Sequence, residues 1–395
     1  MTTKDLPLCV PQMDKAPRTW RPPANLSFPY AKTPWQAQEQ RQADLAVHAG
    51  LEEMATFLAA KPTRIAALGD NAIEAFIDTA YAASHKPALE KRALTLAFDY
   101  LDTLSRPYRG PKAIEPICDV VGEYLTFAVY AHSLAQRMPY SQKAKDLRSE
   151  LVTGSNTALA ACGDLKTLLG FDPQVAMAVK DAKLGDVYHW VMWSITFVDT
   201  LTNPDLKMPP GTDTFIAETW RYLATYSVPL AEEHPTGLNH MPAYDAAYLM
   251  THVAYIPTGY GRHQLRVADA PWLYGYIREN YYAALALGEL DLFAEFVDLL
   301  RQYGCTEESD AQLRHGSRYL LHLYGKTSDR WLAHREPYES KEISDYDALH
   351  KPWTAIAGLR RRVFEAMTPH SYGAAFRRAL QSHARSPQEE ANRHP

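Results

Sequence analysis

The chain has 395 residues, 46% hydrophobic and 22% charged, with a net charge of -5 and a pI of about 6.3. These proportions exclude a mostly disordered chain, and scattered Lys and Arg without a basic stripe exclude a nucleic-acid footprint. No stretch approaches the ~18 uninterrupted apolar residues of a membrane span, which excludes a helical membrane protein.

Residues 1–34 are rich in Pro and lack periodicity, which predicts an extended or disordered N-terminal arm. They contain no apolar core of a secretion signal. Cys9, Cys118, Cys162 and Cys305 form no C-x-x-C pair and lie far apart, so they read as separate small buried thiols of a reducing compartment. The expected location is the cytoplasm.

From residue 35 to 386 the pattern is that of a single all-helical domain, with a flexible tail over 387–395. "PWQAQEQRQADLAVHAGLEEMATFLAA", "NAIEAFIDTAYAAS", "ALEKRALTLAFDYLDTLS" and "IEPICDVVGEYLTFAVYAHSLAQRM" keep apolar residues three and four apart. The same spacing predicts helices over 142–169, 186–200, 212–230, 242–256, 271–288, 290–304, 308–325, 352–367 and 371–386. No run alternates between turn signals, so strands should be few or absent. Roughly a dozen helices suggest stacked hairpins, either closed into an α/α toroid or left as a helical-hairpin array.

A faint internal likeness links "LNHMPAYDAAY" to "ALHKPWTAIAG", both of which read H-x-P before an aromatic-bearing helix. Pro242 and Pro352 suit the first helical position, where a missing N–H costs nothing. His240 and His350 would then precede two helix N-termini and open on one rim of a toroid. Chance is the competing explanation in a chain with 15 His and 27 Pro.

The residues most suggestive of chemistry lie in "AYDAAYLMTHVAYIPTGYGRH". Asp245, Tyr248, His252 and Tyr255 follow three-four-three spacing, one stripe of a helix that is otherwise apolar. Histidine is the natural proton carrier near neutral pH, and a phenol can donate to a developing oxyanion. The plainer alternative is a core histidine bonded to a backbone carbonyl. After the helix, Pro257, Gly259 and Gly261 permit a tight turn that could present Thr258, Tyr260, Arg262 and His263, Arg262 being suited to a carboxylate or phosphate. Thr251 sits beside His252. In "GDVYHWVMWSITF", Asp186 is an expected N-cap, and His189 and Trp193 share its face beside the wall formed by Trp190. In "DYDALHKPWTAIAGLRRR", Asp345 or Asp347 could orient His350 beside Trp353 and Thr354. Arg360, Arg361 and Arg362 read as a solvated face.

No G-x-G-x-x-G, Walker loop, H-E-x-x-H, aspartate-rich magnesium run or G-x-S-x-G elbow occurs, so neither a cofactor nor a metal is expected. Tyr248-x-x-Thr251-His252-x-x-Tyr255-x-x-Thr258-x-x-Gly261, with His350-x-x-Trp353-Thr354, resembles an all-helical bacterial family of uncharacterised function. That family carries T-H-x-x-(F/Y)-Y-x-T-D-F-G and H-x-T-W-T segments; Gly259 and Tyr260 replace its Asp-Phe. The resemblance implies a helical toroid and no particular reaction. "LNHMPAY" is similar to the N-N-H-x-Y-W segment of alginate lyases, also α/α toroids, but lacks the tandem Asn.

Together these features lead to the expectation of a cytoplasmic enzyme acting on a small organic substrate by elimination, isomerisation or cyclisation, with neither nucleic acid nor membrane as partner. His252, Tyr255, His240 and His350 are the candidate catalytic residues. Asp245, Tyr248, Thr251, Thr258, Tyr260, Arg262, His189, Trp193 and Trp353 are the candidate substrate-binding residues. A non-catalytic scaffold for a peptide or protein partner is the alternative. A carbohydrate-active toroid is another, for which Glu218, Asp245 and Asp345 are the nominated acids.

Overall fold

The computed structural model describes residues 24–26, 28–61, 63–82, 86–110, 117–228, 241–334, 343–369 and 371–384. The described residues are 72% helical, with no strand among them. In order, the helices are α1 Ala37–Ala60, α2 Thr63–Leu68, α3 Asn71–Ala82, α4 Pro87–Leu104, α5 Val121–Arg137, α6 Gln142–Cys162, α7 Leu165–Leu169, α8 Pro173–Met177, α9 Leu184–Thr200, α10 Thr212–Thr225, α11 Met241–Val253, α12 Tyr255–Thr258, α13 Pro271–Leu287, α14 Leu290–Gln302, α15 Ala311–Lys326, α16 Asp345–Leu359 and α17 Tyr372–Ala384.

Local chemistry sets the helix ends. The Ser141 hydroxyl accepts from the Ala144 N–H to start α6, and the Asp310 carboxylate accepts from the Leu313 N–H to start α15. Pro271 opens α13, and Gly288 closes it in the left-handed conformation at φ 78°.

The fold divides into two compact units, each built from three segments. Unit 1 comprises 1–97, 228–254 and 264–364; unit 2 comprises 98–227, 255–263 and 365–395.

In unit 1, α14 is the central helix, packed against α11, α13, α15 and α16. It is buried from Leu292 through Gln302, including Glu295, Asp298 and Arg301. α16 also lies against α1 and α3. Small residues permit these approaches. A Cβ on Gly358 would stand 2.8 Å from Leu320 Cδ1 and 3.1 Å from the Ala294 carbonyl oxygen. One on Gly50 would stand 2.9 Å from Ile356 Cγ1. Part of the N-terminal arm is fixed on α15. Phe28 and Tyr30 pack on His315 at centroid distances of 5.5 and 5.1 Å, and Arg318 donates to the Ala31 and Pro34 carbonyls.

Two sequence expectations fail around α16. The helix starts from a Ser344 N-cap, so Pro352 sits inside it rather than at its first position. His350 is therefore a helical residue, not one preceding an N-terminus. Nor are Arg360 and Arg362 solvated. They lie just past the C-terminus of α16 and turn inward, Arg360 onto Asp78 at 2.8 Å and Arg362 onto Asp298. A buried carboxylate needs an opposite charge and hydrogen bonds, and these two arginines provide both. Arg361 stays exposed.

In unit 2, α5 and α6 form a hairpin, while α9 and α10 pack together and share α17. The four-thiol reading is corrected here. Cys118 and Cys162 stand with Cα atoms 5.5 Å apart and are joined as a disulfide, a pairing that a sequence separation of 44 hides from local inspection. Cys305, in unit 1, is a buried thiol.

Candidate functional site

A cluster of ionisable side chains lies in unit 1, where α11 meets α14 and α16 contributes His350. Two phenols of α11 reach acids at the start of α14. Tyr244 Oη donates to Glu289 Oε1 at 2.6 Å, and Tyr248 Oη donates to Asp291 Oδ2 at 3.0 Å. Their rings meet edge to face at 5.1 Å. One turn further along α11, the Thr251 hydroxyl donates to the Tyr248 carbonyl at 2.7 Å and lies within hydrogen-bonding reach of Glu295. His252 Nδ1 is 2.8 Å from the same Tyr248 carbonyl. A carbonyl only accepts, so this bond places the ring proton on Nδ1 and leaves Nε2 as the basic nitrogen.

His350 stacks on Tyr346 at 3.7 Å and leans on Trp353 at 5.1 Å. Its Nε2 is buried and has no hydrogen-bond partner among the described residues. The same holds for Asp291 Oδ1 and Glu295 Oε2. Tyr244, Tyr248, His252 and Asp291 are half-buried, so one side of the cluster is open to solvent.

The environments pull these groups apart in proton affinity. Burial, reinforced by the Asp291 charge, raises the Glu295 carboxyl well above the usual carboxylate range. Burial holds both the His252 and the His350 imidazoles below their ordinary value; Asp291 opposes this in each case but does not overcome it. Burial and the neighbouring acids push the Tyr248 phenol well upward. The cluster thus sets two imidazoles held towards the uncharged form beside a carboxyl and phenols held towards the protonated form. Among the described residues no group of three or more His, Cys, Asp or Glu side chains is arranged to hold a metal ion.

Of the residues singled out from sequence, Tyr248, Thr251, His252, His350 and Trp353 all belong to unit 1. Trp353 faces inward, its indole N–H donating to Asp78 at 3.1 Å. Asp245 is exposed, and Tyr244 takes the place in the stripe expected of it. The expected orienting acids of His350 serve other ends. Asp345 pairs with Arg64 at 3.1 Å, while Asp347 closes the N-terminal turn of α16 with Ser344. His240 lies outside the described residues.

Tyr255, Thr258, Tyr260, Arg262, His189 and Trp193 belong to unit 2. Tyr255 stacks on Tyr260 at 4.4 Å, and its carbonyl accepts from the Tyr372 hydroxyl at 3.0 Å. The turn after it runs through three successive left-handed residues, Gly259, Tyr260 and Gly261, at φ 56°, 55° and 75°. The buried Thr258 hydroxyl accepts from the Gly261 N–H to close that turn. Arg262 forms an ion pair with Asp199 and lies over the Tyr372 ring. His189 is exposed and accepts from the Trp193 indole.

Sequence reasoning missed Tyr244, Glu289, Asp291 and Glu295. The signal was nonetheless present in "ELDLFAEFVDLLRQ". Asp291 and Glu295 are like charges four apart on a strongly apolar helix, a spacing that is unfavourable without a partner.

No family model, curated protein or solved structure matches the chain.

Proposed function

We propose that the chain is an enzyme in which the unit 1 cluster carries out acid–base chemistry on a small organic molecule, by elimination, isomerisation or cyclisation. The observation that carries the reading is the opposed ionisation of neighbouring groups. The His252 imidazole, held towards its uncharged form by burial and with its tautomer fixed by the Tyr248 carbonyl, stands on the same helix turn as the hydroxyl facing Glu295, whose carboxyl burial pushes up. Groups pushed apart in this way supply a base and an acid at one pH. His252 Nε2 is the proton acceptor. Glu295 is the proton donor, and the phenols of Tyr244 and Tyr248 stabilise a developing oxyanion. Such chemistry needs no redox partner.

Acid–base turnover exchanges substrate protons with solvent, which gives a test that needs no prior substrate. The full chain is incubated in D2O with a mixture of cellular small molecules, and mass spectrometry follows deuterium uptake. Wild type should label at least one compound, and His252→Gln should label it ~10²–10⁴-fold more slowly. Glutamine keeps a hydrogen-bonding side chain of similar size, so the two melting temperatures should stay close. Equal labelling by both proteins, or none by either, would favour the binding-scaffold alternative.

A further inference from the structure

We infer that the unit 1 cluster binds an organic cation, specifically a protonated amine, so that its substrate carries an ammonium group. The inference rests on the acid–base reading of the same site and adds the substrate class.

The first observation is a pair of acids without a basic partner. Among the described residues, Asp291 and Glu295 form no ion pair, in contrast with Asp78, Asp298, Glu307 and Asp310, each of which meets an arginine in the same unit. Unit 1 thus neutralises its other buried acids and leaves these two without an arginine. The second is unmet hydrogen bonding. Glu295 is 7% exposed, yet among the described residues its Oε2 has no hydrogen-bond partner, and the buried Asp291 Oδ1 likewise has none. A buried carboxylate oxygen without a donor is costly, and a ligand N–H removes that cost.

The third observation is the kind of surface around the acids. Tyr244 and Tyr248 bond Glu289 and Asp291 through their hydroxyls and meet each other edge to face, and Tyr346, half-exposed, stacks on His350. Aromatic faces carry negative potential and attract a cation, an ammonium among them. An anion would meet only acids and neutral imidazoles here. A metal ion would need three convergent donors, an arrangement not found among the described residues. An ammonium suits the site better, since its N–H donors can be shared among separated acceptors.

The probe is phenethylammonium, with uncharged 2-phenylethanol as its match in shape, each titrated into the full chain by calorimetry. Phenethylammonium should bind at least about tenfold more tightly than 2-phenylethanol, the scale of one charge-assisted bond. Asp291→Asn keeps the acceptor for Tyr248 but removes the charge, and should erase most of that preference while leaving the alcohol unaffected. If that variant does not fold, wild type titrated at rising salt serves instead: the preference for phenethylammonium should shrink while 2-phenylethanol binding stays constant. Equal affinity for the two probes, absence of amine binding, or a preference that survives the substitution or the added salt would overturn the inference. Amine binding without His252-dependent deuterium exchange would remove the acid–base reading alone, and exchange on compounds without an amine would remove the cation alone.

Discussion

Glu295 and His315 are both buried in unit 1, and they respond to pH in opposite directions. The Glu295 carboxyl is raised in the folded state, so the unfolded chain releases its proton first as pH rises. Its contribution is fully present at acid pH and is lost as pH climbs from about 4.5 towards the raised folded value. Glu295→Gln should therefore narrow the fall in melting temperature between pH 5 and pH 9 seen in wild type, measured by circular dichroism in matched buffers. Unchanged curves would mean that Glu295 is not held protonated. His315 lies under Phe28 and Tyr30, and burial lowers it from 6.5 to about 4. Here the contribution is present above pH 6.5 and is lost as pH falls to about 4. His132 and His263, in unit 2, are also held at about 4 and share that window. His315→Phe should flatten part of the acid slope, and a slope identical to wild type would contradict the buried neutral imidazole.

At the scale of the element, α16 depends on close approach and on the arginines just past its C-terminus. A methyl group at Gly358 would press on the backbone of Ala294, which cannot swing away as a side chain end can. Gly358→Ala should cost about 1–3 kcal/mol by denaturant titration, although alanine favours helix. A neutral or stabilising result would show that α14 and α16 can separate without loss. Beyond Leu359, Arg360 leaves the helix and binds Asp78, which also accepts from Trp353. Arg360→Met would strand a buried carboxylate, at a cost of about 3–5 kcal/mol. A cost near zero would place Asp78 in contact with water. The helical period over 352–367 predicted a solvated arginine face because periodicity describes a local pattern, whereas Asp78 lies 282 positions away.

For the molecule as a whole, the Cys118–Cys162 bond bears on the compartment. Such a bond persists where thiols are not kept reduced, whereas the sequence read all four cysteines as thiols of a reducing compartment. Protein alkylated without reductant and then digested should yield one linked peptide pair containing Cys118 and Cys162, separated only after reduction. Two alkylated peptides in the unreduced sample would restore the reading of free thiols.

The sequence by itself determined that this protein is helical, where most of its helices run, and that His252 shares a polar stripe with Tyr248 inside an apolar helix. Those properties are written in spacing three and four apart, which any isolated segment carries. Tertiary structure alone decided the rest: that Asp291 and Glu295 of α14 face that stripe, that Asp245 does not, that Arg262 answers Asp199, and that Pro352 lies inside a helix. The physical reason is that burial and pairing of charge depend on which distant segment supplies the partner. An acid, a phenol or an arginine reads the same in sequence whether it meets water, a counter-ion or a protonated neighbour.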